Sequence, residues 1–175
     1  MDMLVSGVSV IRIKQIMFIL FIITGVFLLT SCSLKNIYSE RAEANKILIE
    51  ILNALENEDE VAMKSLLAPD MLKKNRNIED EIQKAFNYFN GNIISYKDVG
   101  TPASSISVRD GKTVYLGIGN ARSGSVITDC NEYIISFSAI LINENNPKQE
   151  GVWRIWIGKN SDDYMILGDS DMPTE

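Results

Sequence analysis

Few side chains in this sequence could do chemistry. Among 175 residues there are two cysteines, Cys32 and Cys130, and no histidine. Without imidazole there is no Ser–His or Cys–His nucleophile pair, no imidazole metal ligand and no histidine pH switch. Cys130, a lone thiol without an activating base, reads as a small packed hydrophobe. The segment Trp153-Arg154-Ile155-Trp156 is richer. Three positions apart on a strand, its two indoles face opposite sides of a sheet. One therefore belongs to the core or a cavity. The other, on the side of Arg154, meets solvent, a ligand or a partner. Arg154 would offer a cation to an anionic ligand there, or lay its stem over aromatic surface.

Two further segments invite a site and do not carry one. Gly117-Ile118-Gly119-Asn120-Ala121-Arg122-Ser123-Gly124 has the glycines of a phosphate loop, but strand follows it, so no helix N-terminus would face a phosphate; a bulge or loose hairpin is the better account. Glu58-Asp59-Glu60 lacks the alternating oxygen ligands and the glycine of a calcium loop, and suits the first turn of a helix. No paired-cysteine motif is present, and neither a metal nor a cofactor is expected.

Cys32 acquires a role from what precedes it. Ile16 to Leu29 is an uncharged apolar run of 14 residues behind Arg12 and Lys14. A span of the bilayer takes about 20 residues, so the run has the length of a signal-peptide core. Leu29-Thr30-Ser31-Cys32 then resembles the bacterial lipoprotein box. The resemblance implies cleavage between Ser31 and Cys32 and a diacylglyceryl thioether on the Cys32 sulfur. Each buried acyl methylene contributes about 0.8 kcal/mol, so two or three chains anchor stably. The expected organisation is a signal peptide over 1–31, a tether over 32–38, one domain over 39–168 and a tail over 169–175. Six extended residues between Cys32 and the domain reach at most about 20 Å, which keeps the domain near the membrane's outer face.

The leader also explains the composition. The chain is 46% apolar with a mean hydropathy of +0.02, yet 20 apolar residues and only three charges fall in residues 1–31. The other 144 residues carry 15 Lys and Arg against 22 Asp and Glu, a net charge near −7. That is the length of one acidic domain, and its charge makes nucleic acid an improbable partner.

The elements that must position these residues divide at about residue 90. Ile47, Leu48, Ile51, Leu52 and Leu55 mark the face of a helix from about Ser39 to Asn57. Met63, Leu66 and Leu67 give a short second helix its buried face, and Pro69 interrupts it. Lys73-Lys74-Asn75-Arg76 reads as a solvated turn. A third helix begins after Asn77, with Asn77 and Asp80 as a capping pair, buries Ile78, Ile82, Ala85, Phe86 and Phe89, and ends at Asn90-Gly91, where glycine suits a left-handed cap.

Strand alternation follows, with a first strand from Ile93 to Val99. A three-residue turn Arg109-Asp110-Gly111 would pair Ile106 with Val114 and put the apolar residues of both strands on one face. Tyr133 to Ile142 reads as the longest strand, with Tyr133, Ile135, Phe137, Ala139 and Leu141 on one face. Val152–Ile157 and Tyr164–Leu167 complete the set. Helices followed by antiparallel strands make an α+β domain.

This order, with Gly91-Asn92-Ile93-Ile94-Ser95-Tyr96, Ile127-Thr128-Asp129 before Tyr133, and Asn146-Pro147 and Gly151 before Trp153 and Ile155, resembles an uncharacterised lipoprotein family of Gram-positive bacteria. Its fold resembles the cystatin-like fold of the nuclear transport factor two superfamily. The resemblance implies three N-terminal helices packed on a curved antiparallel sheet of four to six strands, often around a cone-shaped cavity. It also implies a place to look for catalysis. Isomerases of that superfamily use a carboxylate base and a hydrogen-bond donor, and Asp129 and Tyr133 are the pair to inspect. The alternative is that Asp129 caps a turn and the Tyr133 ring packs in the core.

The fold does not select a function. The leading expectation is a noncatalytic binding or interaction module on the extracytoplasmic face of the cell membrane, holding a small ligand or an envelope protein, with Trp153, Arg154 and Trp156 as its surface. The alternatives are an isomerase- or dehydratase-type enzyme using Asp129, and a self-associating structural subunit or homodimer.

Overall fold

The computed structural model describes residues 40–169 and 171–173. The expected signal peptide, the cleavage site Ser31–Cys32, the lipidation site Cys32 and the tether lie outside the described residues. Residues 40–175 group as one compact unit, and within its described part no helix is long and apolar enough to cross a membrane.

Helix α1 covers 40–56, and the stripe read from the sequence is its buried face, with Leu48 and Ile51 fully buried and Leu52 and Leu55 nearly so. Helix α2 (Glu60–Leu66) starts on Asp59, whose carboxylate accepts the Ala62 N–H at 2.9 Å. The acidic run is thus spent on an N-cap and on a Glu60–Lys64 ion pair at 2.7 Å.

Among the described residues four helices stand where three were expected. Pro69 does not only interrupt; it opens α3 (Pro69–Lys74). Proline at the first helical position gives up an N–H that would have no intrahelical partner in any case. Lys73 and Lys74 therefore form the last turn of a helix, not a loop, and the Lys74 ammonium lies 5.4 Å over the Trp153 ring. Helix α4 (Ile78–Tyr88) buries Ile78, Ile82, Ala85 and Phe86 as expected, but its cap differs. Asn77 has φ −103° and ψ 12°, outside the extended cap conformation, and makes no side-chain capping bond. Asn75 works instead: its Oδ1 accepts the Asn77 N–H at 3.0 Å and its amide donates to Glu81 at 2.9 Å. Gly91 adopts the left-handed φ of +93° that the turn after α4 requires.

Six strands, β1 (Ile93–Tyr96), β2 (Ala103–Arg109), β3 (Lys112–Thr128), β4 (Glu132–Asn143), β5 (Gly151–Gly158) and β6 (Tyr164–Gly168), form one antiparallel sheet. The order is β1-β3-β4-β5-β6, with β2 also pairing β3. The longest strand is β3, with 17 residues, rather than β4, with 12, because one edge of β3 serves both β2 and β1. The first strand stops at Tyr96, and Val99 keeps only an isolated bridge to Ser123. The glycine-rich segment 117–124 is part of β3, interrupted by register shifts against β4. Such bulges bend and twist a sheet, and they give this open one its curvature.

The β2–β3 register corrects the three-residue turn. Arg109 pairs with Lys112 and Val108 with Thr113, so the turn has two residues, Asp110 and Gly111, with φ of +51° and +77°. Positive φ at both positions is the turn that matches strand twist. A bulge then leaves Val114 without a partner on β2, and Ile106 pairs with Leu116. The extra residue, not a longer turn, brings these two apolar side chains to the same face.

One side of the sheet carries the core. Tyr133, Ile135 and Phe137 of β4 and Trp153, Ile155 and Ile157 of β5 are buried together with the apolar faces of α1 and α4. Each such side chain contributes about 1.5–3 kcal/mol by leaving water. A short 3₁₀ turn, Pro147–Gln149, lies between β4 and β5, so helical structure is not confined to the N-terminal half. Asn146 ties this turn to α3 through Asp70 at 3.2 Å.

Candidate functional site

Alternation along β4 and β5 produces the site. With Tyr133, Ile135 and Phe137 committed to the core, Ser136 and Ser138 must point to the opposite face, and so must Arg154 and Trp156 between the buried Trp153, Ile155 and Ile157. Cross-strand pairing aligns them: Ser136 with Trp156, Ser138 with Arg154, and Arg122 of β3 with Ser136. Together with Asn120 they line a groove of about 300 Å³ on the outer face of the sheet.

Three features of this groove stand out physically. No Asp or Glu lines it, although the chain is acidic overall. It contains two guanidinium groups, that of Arg122 exposed and that of Arg154 half-buried. The Nε of Arg154 is buried and has no hydrogen-bond partner among the described residues. Trp156 supplies the apolar wall and is itself held in place. Its ring stacks on Tyr164 with centroids 5.8 Å apart and planes at 28°. It also lies over Gly158, where a Cβ would come within 2.1 Å of the indole.

Trp153 belongs elsewhere. It is fully buried and its Nε1 donates to the Gln149 carbonyl at 2.8 Å, so it is a core residue and not part of a ligand surface. The expectation that one tryptophan faces inward and one outward therefore resolves with Trp156 outside.

Asp129 and Tyr133 both lie near the α4–β1 junction, but they do different things there. Asp129 is exposed in the turn between β3 and β4, where its carboxylate accepts the Asn92 N–H at 2.9 Å and the Asn92 amide at 3.1 Å. The side-chain bond from Asn92, then that from Cys130, and then the Asn92 N–H hold its pKa below the ordinary carboxylate value. Tyr133 is fully buried, its ring 4.8 Å from that of Phe89 and its hydroxyl bonded at the end of α4. Cys130 corrects a further expectation. It is exposed in the same turn and not packed, because residues 129–131 wrap around the hydroxyl of the buried Thr128, which accepts the N–H groups of Cys130 at 3.3 Å and Asn131 at 2.9 Å. The bond from its thiol to Asp129 raises the Cys130 pKa and disfavours the nucleophilic thiolate.

Arg122, Asn120, Ser136 and Ser138 did not stand out as binding residues in the sequence. The serines were visible as the polar face of β4. Arg122 and Asn120 lie in the glycine-rich segment, and the bulged β3–β4 register brings them beside Arg154.

Four helices and a curved, open, six-stranded antiparallel sheet, with its polar groove on the outer face, define the chain as an α+β domain. The family described as "Domain of unknown function (DUF5104)" matches residues 50–162, more than half of the sequence. The chain belongs to that family. Among curated proteins none matches the chain.

Proposed function

We propose that this chain is a noncatalytic binding module of the cell envelope, lipid-anchored through Cys32 on the extracytoplasmic side, with the outer face of its sheet around Arg154 and Trp156 as the recognition surface. The groove of Arg122, Arg154 and Trp156 is the observation that carries this reading. It combines a pre-positioned aromatic wall with two arginines that no acidic residue of the groove meets, which is how small-ligand sites are built, and its volume of about 300 Å³ suits a small ligand or one protruding side chain. The Leu29-Thr30-Ser31-Cys32 box supports the anchor, and the helices-then-curved-sheet order supports a cystatin-like fold of the nuclear transport factor two kind.

A catalytic role for Asp129 has less support. A general base must be ready to take a proton, whereas an exposed carboxylate with a lowered pKa is a weak base. Self-association draws on a different observation: among the described residues β2 pairs only with β3, and Ile106 and Val108 are 44% and 62% exposed along it.

A thermal-shift screen of envelope metabolites on the full-length protein tests the binding reading. A stabilising compound whose effect disappears in Trp156→Ala is expected; stabilisation indifferent to Trp156 would contradict it. For the anchor, Cys32→Ala should abolish lipid labelling and leave the precursor uncleaved, and normal processing of that variant would refute it. Full-length protein that sediments as a monomer at high micromolar concentration would remove the self-association reading.

A further inference from the structure

We infer that the groove on the outer face of the sheet is an oxyanion site: it takes a carboxylate or phosphate group carried on a small apolar or aromatic body. The inference rests on the proposal that this face is the recognition surface, and adds the chemical class of the ligand. Arg154 carries it. A guanidinium offers five donors in a fixed fork, and a buried donor left unpaired costs about 1–3 kcal/mol. The Nε of Arg154 is in that condition, with no acidic residue in the groove to meet it. Two oxygens of a carboxylate or a phosphate match the fork bidentately. Arg122 adds a second cation across the β3–β4 pair.

The hydroxyls agree in polarity. Ser138 Oγ accepts the Asn120 N–H at 3.2 Å, which leaves its own proton free to donate into the groove. Trp156, fixed by Tyr164 and Gly158, supplies the surface on which the apolar part of the ligand rests.

Two other grooves lack this combination. One of about 450 Å³ beside α1 and α2 is lined by Glu50, Asp59, amides and small side chains and has no cation. Another of about 410 Å³ between α1 and β1 has a largely apolar wall with Asn53, Ser95 and Tyr96, but its one charged residue is Glu56 and it has no cation for an oxyanion.

The test is a fluorescence and calorimetric titration of the acylated mature protein, in neutral detergent and low salt, with phenyl phosphate, benzoate and the neutral benzyl alcohol. Phenyl phosphate or benzoate, or both, should bind saturably and perturb the Trp156 emission, and whichever binds more tightly identifies the oxyanion. Arg154→Gln should weaken that binding about tenfold or more, and Arg154→Lys should weaken it less, since it keeps the charge and loses the fork. Arg122→Gln, an exposed change that leaves the core untouched, should weaken it as well and serves if Arg154→Gln does not fold. Trp156→Phe should remove the fluorescence signal while calorimetry still detects binding. Absence of binding by both charged probes up to about 10 mM would overturn the inference, as would wild-type affinity in both arginine variants. Benzyl alcohol binding as tightly as the charged probes, with Trp156 essential and the arginines silent, would refute the oxyanion and leave the recognition surface standing. Binding of any probe without a contribution from Trp156 or either arginine would remove both.

Discussion

The Tyr133 hydroxyl donates to the carbonyl of Tyr88 at 3.0 Å. The same hydroxyl accepts the Asn90 N–H at 2.9 Å, so a single side chain of β4 satisfies two backbone groups where α4 ends and would otherwise leave them open. Tyr133→Phe should therefore lower stability by roughly 1–3 kcal/mol, the cost of leaving buried polar groups unpaired. Urea denaturation should show a lower midpoint at unchanged m. An unaltered midpoint would mean that the hydroxyl is not structural, and would reopen its reading as a catalytic donor.

Gly151 answers to a different constraint. It opens β5 at φ +126°, and a Cβ there would lie 2.8 Å from the nitrogen and 2.9 Å from the Cα of Ala68. That contact cannot relax cheaply, because the Ala68 N–H donates to Val152 at 3.0 Å and Leu67 bridges to the same residue. Gly151→Ala should cost about 2–4 kcal/mol from overpacking and backbone strain together. Gly100→Ala, with nothing within 4 Å of its Cβ, should stay within about 0.5 kcal/mol of the wild type. Thermal melts of the two variants side by side check the contrast.

Asp129 and Cys130 are coupled through the thiol–carboxylate hydrogen bond, which raises the Cys130 pKa and helps lower that of Asp129. Despite its exposure, Cys130 should react slowly with iodoacetamide at pH 8, and Asp129→Asn should speed the reaction several-fold by removing the charge that disfavours the thiolate. The pH dependence has a definite sign. A carboxylate with a depressed folded-state pKa contributes stability above its unfolded pKa, about 3.9, and loses it as pH falls through the lower folded value. The stability gap between wild type and Asp129→Asn should accordingly be open at pH 6 and close in acid. A gap that widens below pH 4 would show that Asp129 acts by another route.

Much of the fold was legible because each element buries one face. The stripes on α1 and α4 and the alternation of β4 and β5 each leave a period in the sequence, and the division between Trp153 inside and Trp156 outside follows from that period. Elsewhere the same residue type serves two structures. Pro69 marks either a break or the first residue of a new helix. Asp110-Gly111 closes either a two- or a three-residue turn, and the bulge at Val114 that decides between them leaves no trace in local composition. The site was half legible for the same reason. Arg154 and Trp156 lie two apart on one strand, whereas Arg122 and Asn120 reach the groove only through a β3–β4 register shifted at several places.

A noncatalytic module holds its ligand at the Arg154–Trp156 face and leaves it unchanged. Mass spectrometry of what the acylated mature protein retains from its own envelope extract, with Asp129→Asn and Arg154→Gln run in parallel, tests this most directly. A species enriched on the wild type and on Asp129→Asn, unaltered in mass and missing from Arg154→Gln, is the predicted result. Equal retention by Arg154→Gln, or a converted species whose formation stops in Asp129→Asn, would contradict the account.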